Sequence, residues 1–158
     1  MSGVRDGEIV IAPLADLAAM RRLGVACGIE DEGRGDESIA AAWSARDGEK
    51  LVGCIALERY AGMDTANWLA VDECYRRRGI AAALYDELER EARARGMRRL
   101  WVTARAPAFF LAQGFEPVEL GAERDALLGG CPECEQFGRE CEPRALTKRL
   151  DVAGPSDS

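Results

Sequence analysis

Residues 71–84 decide the fold, and they read VDECYRRRGIAAAL. An apolar strand that ends at Val71 leads through an arginine-rich turn into an amphipathic helix. The first turn of a helix has unpaired N–H groups and the positive end of the helix dipole, so phosphate oxygens bind there readily. Guanidinium groups at positions 76–78 can add paired hydrogen bonds to phosphate, and Gly79 permits close approach of the backbone. The stretch therefore predicts a site for a phosphorylated cofactor.

The elements on both sides of this turn follow the order of a mixed α/β fold. The predicted elements are a strand at 9–11, a helix at 14–23, strands at 39–45, 50–58 and 67–71, a helix from 80 to Gly96, a strand at 100–103, a short helix at 107–113, and strands at 115–118 and 145–150. Asp47-Gly48 predicts a tight hairpin turn between the second and third strands. This order predicts a mixed sheet with helices on both faces.

The composition is that of a folded protein. Hydrophobic residues make up 47% of the 158 residues and charged residues 31%, which does not fit a disordered chain. A chain of this length can bury about 70% of its unfolded surface in one domain. We expect a single domain over residues 1–150, with a cysteine-containing loop at 129–143, and a flexible tail at 151–158.

Charge and residue types disfavour several classes of function. The net charge of −7 opposes broad nucleic-acid binding, so no nucleic-acid partner is expected. The chain has no histidine, which excludes Ser-His-Asp and Cys-His catalysis and every histidine-containing metal site. Apolar runs are too short to span a bilayer and the N-terminus lacks the layout of a secretion signal, so we expect a cytoplasmic protein without a membrane partner.

Two segments taken together resemble the GNAT acyltransferase superfamily. The R-x-x-G-x-A pattern from Arg76 to Ala81 is similar to the acetyl-CoA pyrophosphate loop of that family. Residues 108–115, AFFLAQGF, resemble the helix and Gly-Phe step that close the cofactor site. The resemblance covers roughly residues 8–150. It implies an α/β (α+β) fold with a GNAT-like mixed, mostly antiparallel sheet of six to seven strands, helices on both faces, and the cofactor between the fourth and fifth strands.

The same resemblance implies a co-substrate, acetyl-CoA, and the residues that hold it. In the family the fourth strand bulges and pairs through its backbone with the pantetheine arm, and a backbone N–H of that strand can stabilise the oxyanion of the reaction. The implied cofactor-binding residues are Leu69, Val71, Arg76, Arg77, Arg78, Gly79, Ile80, Ala81, Ala82 and Phe110.

Proton transfer needs further groups. An ammonium must lose a proton before its nitrogen attacks a thioester, so a carboxylate or a water relay is expected. Glu58, at the end of the third strand, and Asp64, just before the fourth, are the candidate catalytic residues; the alternative is that each is an ordinary solvated residue. Many GNAT proteins place an acidic tyrosine where this chain has Phe110. We therefore expect that water protonates the departing thiolate or that the thiolate leaves charged.

One further segment indicates a particular branch of the family: residues 101–118, WVTARAPAFFLAQGFEPV. They are similar to the amino-acid N-acetyltransferase branch that includes N-acetylglutamate synthases, and residues 144–150 resemble the last strand of that branch. Arg105 is the candidate substrate-binding residue for an acceptor carboxylate, although it can equally cap a strand end. The fourth strand carries NWL at 67–69 where that branch often has an arginine, so glutamate is only one candidate acceptor.

Three cysteines near the C-terminal end form a second unusual pattern. Cys131 and Cys134 have C-x-x-C spacing, which can ligate one zinc ion, and Cys141 can be a third ligand. Because no histidine exists, the fourth ligand would be Cys74, a carboxylate or water. The alternative is a loop without metal whose thiols are reduced or form disulfides.

The sequence supports two functions. The favoured one is an N-acetyltransferase that moves an acetyl group from acetyl-CoA to a primary amine of a small molecule, with amino acids among the candidates, by direct attack in a ternary complex. The alternative is a catalytically reduced CoA-binding module, or a zinc-stabilised module for sensing or interaction. The expected partner is a small-molecule amine acceptor, and the protein is expected to be a monomer or a homodimer.

Overall fold

The strand that precedes the arginine-rich turn lies at the centre of a seven-stranded sheet in the computed structural model of the protein. The structure describes residues 9–29, 35–60, 62–104, 108–118 and 144–150. Within these residues the strands are β1 (Ile9–Pro13), β2 (Ile39–Asp47), β3 (Lys50–Tyr60), β4 (Met63–Val71), β5 (Arg99–Ala104), β6 (Glu116–Pro117) and β7 (Arg144–Arg149), and the helices are α1 (Leu17–Ala26), α2 (Ile80–Ala94) and α3 (Ala108–Ala112).

The strand order in the sheet is β1-β2-β3-β4-β5-β7-β6. Four neighbouring pairs are antiparallel: β1 with β2, β2 with β3, β5 with β7, and β6 with β7. Strands β4 and β5 run parallel and pair at Thr65 and Trp101. The prediction of a mixed, mostly antiparallel sheet of six to seven strands is therefore confirmed. The described residues form two compact units, one within residues 1–58 and 66–95 and the other within residues 59–65 and 96–158.

In the first unit, helices cover both faces of the sheet. Gly53 and Cys54 of β3 point to opposite faces because successive strand residues alternate. A Cβ atom at Gly53 would lie 3.2 Å from side-chain atoms of both Ile80 and Leu84 of α2. Cys54 instead belongs to a buried cluster with Met20 of α1. Helices α1 and α2 thus lie on opposite faces, as the order of elements predicted.

Helix α1 begins later than the sequence pattern indicated. The apolar spacing predicted residues 14–23, but the helix starts at Leu17, after the N-cap Asp16. The Asp16 carboxylate accepts a hydrogen bond from the Ala19 N–H at 3.0 Å. The Leu14 N–H donates to the Ala42 carbonyl at 2.9 Å, so this residue still bonds to the sheet and is not helical.

The hairpin of β2 and β3 is confirmed, with its turn one residue later than predicted. Asp47 pairs with Lys50, so the turn consists of Gly48 and Glu49, and Gly48 has φ 64. At the other end of the hairpin the register shifts between Ile39 and Ala41 of β2. An extra residue in one strand of an antiparallel pair is a β-bulge. The bulge lies beside Glu58, which pairs with Ile39.

Helix α2 matches its predicted pattern closely. Its buried side chains include Ile80, Leu84, Leu88 and Ala92, which recur every four residues and form one apolar face. Gly96 has φ 78 directly after the C-cap residue of the helix, which is the left-handed position that glycine favours. The helix that follows the arginine-rich turn is therefore fixed by its own sequence pattern.

The second unit contains β5, β6, β7 and α3. β5 pairs along its whole length with β7. Met63 and Ala145 are buried there, and three half-buried residues pack against them: Tyr60, Trp101 and Val118. Helix α3 ends with a left-handed Gly114, and the Phe115 N–H donates to the Phe110 carbonyl at 3.0 Å. The Gly-Phe step predicted from residues 108–115 thus closes a short helix.

Candidate active site

The turn between β4 and α2 has the geometry of a helix start open to an anion. Gly79 is the N-cap of α2, with φ 79 and no side-chain cap. The helix's first backbone bond runs from the Ala83 N–H to the Gly79 carbonyl at 3.0 Å, so the N–H groups of residues 80–82 lack an intrahelical partner. A Cβ atom at Gly79 would meet no atom within 4 Å. Space and hydrogen-bond donors for a phosphate group are both present.

The arginines of the turn are exposed, and their neighbours position two of them. The Nε atom of Arg76 donates to the Val71 carbonyl at 3.0 Å. The guanidinium carbon of Arg78 lies 4.9 Å from the centre of the Tyr75 ring, a cation–π distance. Arg77 has φ 68, in the left-handed region. The turn thus places three cations at the start of the helix.

Tyr75 ties the turn to the β2–β3 hairpin. Its hydroxyl donates to Oδ2 of Asp47 at 2.7 Å, and the Nζ atom of Lys50 lies 5.4 Å from the centre of its ring. The hydrogen bond to Asp47 raises the pKa of Tyr75 above its usual value. The phenol therefore stays protonated at neutral pH and keeps the two segments linked.

Strand β4 is irregular at Trp68. Trp68 and Arg77 are the two non-glycine residues with positive φ in the described part of the chain, and Trp68 has φ 60 inside the strand. A bulky residue in this region is strained, typically by about 1–3 kcal/mol. A left-handed residue also interrupts the strand's ladder, as a bulge does. The irregularity lies next to Leu69, one of the two positions expected to meet pantetheine.

Neighbours on α1 and β3 hold Trp68 in this conformation. A Cβ atom on Gly24 would lie 2.5 Å from Cε3 of Trp68, so the ring occupies the space that a side chain would need. The Arg21 guanidinium lies 5.3 Å from the ring centre. The Cys54 thiol donates to the Trp68 carbonyl at 3.1 Å, and burial raises the pKa of Cys54 to about 12, so the donor stays protonated.

We expect Gly24→Ala to destabilise the protein by about 1–3 kcal/mol, because the new methyl group overpacks against the Trp68 ring. Alanine in an open helical position would instead stabilise by up to about 1 kcal/mol. Thermal unfolding of Gly24→Ala, Trp68→Leu and the double variant measures the effect. The double variant should lose less stability than the two single losses added together. A higher melting temperature for Gly24→Ala would contradict the packing described here.

Among the described residues of the first unit, Glu58 is the most deeply buried carboxylate, with 1% of its surface exposed. Its Oε2 atom accepts from the Ser38 hydroxyl at 2.7 Å, and Oε1 accepts from the Asn67 amide at 2.7 Å. The alternative that Glu58 is a solvated strand-end residue is therefore wrong. β3 continues to Tyr60, so Glu58 lies within the strand. Its side chain is bonded by Ser38, just before β2, and by Asn67 of β4.

Asp64 belongs to the second unit and is placed differently. The sequence placed Asp64 just before the fourth strand, but the residue lies inside β4. Its Oδ1 atom forms an ion pair with the Arg59 guanidinium at 2.9 Å, with 20% of the Asp64 side chain exposed and 63% of the Arg59 side chain. The Asp64 carboxylate is therefore already paired with the Arg59 guanidinium.

The remaining predicted site residues fall into three groups. Leu69 and Val71 are half-buried on β4, and the Val71 carbonyl also lies 3.6 Å from the Cys27 sulfur, a weak hydrogen bond. Phe110 is 6% exposed and packs edge-on against Phe109 and Phe115, with ring centres 5.1 and 5.3 Å away. The residues that lie outside the described part of the chain are Arg105, Cys131, Cys134 and Cys141.

Comparison with known families identifies the domain. Residues 38–117, about half of the 158, match the family model described as "Acetyltransferase (GNAT) domain". The chain belongs to the GNAT acetyltransferase family. It is an acetyl-CoA-dependent N-acetyltransferase, and acetyl-CoA is its co-substrate. The matched segment contains the arginine-rich turn, Glu58 and the short helix α3.

Solved structures of low sequence identity share the fold of this acetyltransferase. A Mycobacterium tuberculosis protein in complex with CoA has a TM-score of 0.67 and 20% identity over 89% of this chain and 99% of its own. The ribosomal-protein-S18-alanine N-acetyltransferase of Escherichia coli has a TM-score of 0.68 and 19% identity, over 92% and 96%. The N-acetylglutamate synthase of Neisseria gonorrhoeae, in complex with CoA and N-acetyl-glutamate, has a TM-score of 0.63 and 19% identity, over 90% of this chain and 35% of its own.

The family model confirms the predicted family. The structural likenesses confirm the predicted fold and do not single out one branch. The N-acetylglutamate synthase is one neighbour among acetyltransferases with different names. In the described ranges no group of three cysteine, aspartate or glutamate side chains could hold a metal ion. The zinc hypothesis concerns cysteines outside those ranges and stays a prediction. No helix in the described part of the acetyltransferase is long and apolar enough to cross a membrane.

Sequence reasoning missed several residues that the fold brings to the site. Ser38 and Asn67 hold Glu58, and Gly24 makes room for Trp68. A serine before a strand and a glycine in a helix carry no distinctive signal by themselves. Asn67 did stand out, because it lies where the amino-acid branch often has an arginine. Its partner could not be named before the strands were paired.

Proposed function

We propose that this acetyltransferase moves the acetyl group of acetyl-CoA to the primary amine of a small molecule, with amino acids as the first candidates, by direct attack in a ternary complex. The observation that carries the proposal is Glu58, a buried carboxylate in the same compact unit as the arginine-rich turn. A buried carboxylate whose position is fixed by hydrogen bonds, here from Ser38 and Asn67 among its partners, is suited to proton transfer.

The turn would bind the diphosphate of acetyl-CoA. The N–H groups of residues 80–82 and the side chains of Arg76 and Arg78 supply donors and positive charge for it. Val71, whose carbonyl oxygen already accepts from Arg76 and weakly from the Cys27 thiol, is one of the two positions proposed for backbone pairing with pantetheine. Leu69 is the second position proposed for that pairing.

Glu58 would act as the base. Its carboxylate takes one proton from the acceptor ammonium, and the neutral amine then attacks the thioester carbonyl carbon. The C–N bond forms, a second proton leaves the nitrogen for water, and the C–S bond breaks to release CoA thiolate. Phe110 has no proton to donate, so water protonates the thiolate or the thiolate leaves charged. Asp64 is the less favoured base because Arg59 occupies its carboxylate.

The acceptor class is proposed from two sources. The names of two structural neighbours contain glutamate and alanine, so amino acids and peptide N-termini are the first acceptors to test. Residues 101–118 and 144–150 resemble the amino-acid branch, and Arg105 is the proposed partner of an acceptor carboxylate.

A panel of amines tests the proposal directly. The panel contains the free amino acids, a peptide with N-terminal alanine and simple alkylamines, each with acetyl-CoA as donor. We expect acceptor-dependent thiol release with an amino acid, and an acetylated product by mass spectrometry. Release with alkylamines alone would contradict the amino-acid preference. Acetyl-CoA binding without thiol release from any amine would favour the alternative, a catalytically reduced CoA-binding module.

A further inference from the structure

Tyr75 contacts the arginine-rich turn and the β2–β3 hairpin with different parts of its side chain. The guanidinium carbon of Arg78 lies 4.9 Å from the centre of the Tyr75 ring. The Tyr75 hydroxyl, at the far end of the ring, donates to Oδ2 of Asp47 at 2.7 Å. Tyr75 is half-buried, whereas Arg78 is exposed. A long, exposed cation therefore lies against a ring whose hydroxyl end is already bonded.

The backbone of Tyr75 is fixed by a short 3₁₀ turn, Glu73–Tyr75, that is bonded to β3. The Asp72 N–H donates to the Val52 carbonyl at 2.7 Å, and the Tyr75 N–H donates to the Asp72 carbonyl at 2.8 Å. The Asp72 carboxylate also accepts from the Cys74 N–H at 2.9 Å. The ring of Tyr75 is thus anchored through its backbone as well as through its hydroxyl.

Asp47 is a rigid partner for the hydroxyl, because strands on both sides pair with its backbone. Asp47 pairs with Ile9 of β1 and with Lys50 of β3. A hydrogen bond to an ionised carboxylate is also stronger than one between neutral groups. The orientation of the ring is therefore set by a residue 28 positions away in the chain.

A fixed ring lowers the cost of ordering Arg78 on a ligand. An arginine side chain loses rotamer freedom when it is immobilised in a complex. If the side chain already lies over the ring in the free protein, part of that freedom is lost before the ligand arrives. The ring attracts the face of the guanidinium, whereas phosphate bonds to its N–H edges. A guanidinium over the ring can therefore still donate to phosphate.

The carboxylates near the turn have other partners. Asp47 accepts from the Tyr75 hydroxyl, and Oδ2 of Asp72 lies 4.0 Å from the Nζ atom of Lys50. The same Nζ atom lies 5.4 Å from the centre of the Tyr75 ring. A carboxylate paired with Arg78 would compete with phosphate for its guanidinium. The contacts of Asp47 and Asp72 reduce that competition.

We infer that Tyr75 is a positioning residue that holds Arg78 where the diphosphate of acetyl-CoA binds, with Asp47 fixing the ring from the β2–β3 hairpin. The inference deepens the proposed function and rests on the role given there to Arg78. All three residues belong to the first unit. The end of the hairpin thereby becomes part of the cofactor site, although Asp47 lies outside the R-x-x-G-x-A pattern that predicted this site.

The test is a double-mutant cycle in which isothermal titration calorimetry measures the affinity for acetyl-CoA. We expect Tyr75→Leu to weaken binding by about three- to tenfold, the cost of ordering one more flexible side chain. In protein that already carries Arg78→Ala, the same substitution should weaken binding by less than about twofold, because the side chain that Tyr75 orders is gone. If Tyr75 only maintained the fold, Tyr75→Leu would weaken binding by the same factor in both backgrounds, and that result would overturn the inference.

Arg76→Ala is the matched control background, because the Nε atom of Arg76 is held by the Val71 carbonyl. In that background Tyr75→Leu should keep its full effect of about three- to tenfold. Loss of the effect there as well would show that Tyr75 does not act through Arg78 in particular. Tyr75→Phe keeps the ring and loses the bond to Asp47, so it should weaken binding by about twofold. Parental affinity in Tyr75→Phe would overturn the part of the inference that concerns Asp47.

Thermal unfolding of each variant accompanies the binding measurements. If Tyr75→Leu is unfolded at the assay temperature, the cycle is run with Tyr75→Phe, whose effect should likewise disappear in the Arg78→Ala background. Parental affinity in Arg78→Ala would overturn both the inference and the role proposed for Arg78. Weaker binding by Arg78→Ala, together with an undiminished effect of Tyr75→Leu in that background, would overturn the inference alone. The two failures are therefore distinguishable.

Discussion

Glu58→Gln should lower kcat/KM for the amine acceptor by about 10²- to 10⁴-fold at neutral pH, the range that a general base contributes. The variant should still fold, because its amide can keep the hydrogen bonds with Ser38 and Asn67. The amide oxygen accepts from Asn67, the amide N–H₂ donates to the Ser38 oxygen, and the Ser38 hydroxyl turns to Gly35. Steady-state thiol release across pH measures the effect.

The residual activity of Glu58→Gln should also depend more steeply on pH. Without the base, only acceptor molecules that are already neutral can attack. For an α-amine with a pKa of about 8, that fraction rises about tenfold per pH unit below the pKa. Activity of the variant should therefore approach that of the parent enzyme as the pH rises. Glu87→Gln, on the exposed surface of α2, is the control that should leave the rate unchanged.

Asp64→Asn decides between the two carboxylates. Since Arg59 pairs with Asp64, we expect this variant to lose far less activity than Glu58→Gln. If Asp64→Asn instead loses 10²-fold or more while Glu58→Gln keeps its rate, Asp64 is the base and Glu58 is structural.

The second large effect is expected at the arginine-rich turn. Replacement of both Arg76 and Arg78 by alanine should weaken acetyl-CoA binding by about 10²- to 10⁴-fold. Each charge-assisted hydrogen bond to phosphate contributes about 1.5–3 kcal/mol, and about 1.4 kcal/mol corresponds to a factor of ten. Isothermal titration calorimetry with acetyl-CoA measures the affinity. Added salt should weaken binding by the parent protein more than by the double variant, because salt screens exposed charges.

A matched control separates these local contacts from net charge. Arg90→Ala with Arg95→Ala removes the same charge from α2 and its C-terminal end, where the two side chains pair with Glu87 and Glu91. That variant should bind acetyl-CoA with nearly parental affinity. Equal losses in both double variants would show that overall charge, and not the turn, governs binding.

Local sequence determined much of the cofactor half of the proposed site. Gly79 and Gly96 need left-handed backbone, and the apolar residues between them recur at helical spacing, so the limits of α2 could be predicted. The hairpin turn was found to within one residue for the same reason, since Gly48 supplies the positive φ. These features depend on interactions between residues close in the chain.

Only the tertiary structure decided where α1 begins and which carboxylate is buried. The Leu14 N–H donates a hydrogen bond to β2, and this contact keeps Leu14 out of the helix although its sequence spacing is helical. Ser38 and Asn67 lie 20 and 9 residues from Glu58 in sequence, and strand pairing brings them to its two oxygens. The fit of Trp68 into the space above Gly24 likewise joins β4 to α1. Contacts between distant segments depend on register and packing, which residue spacing alone does not encode.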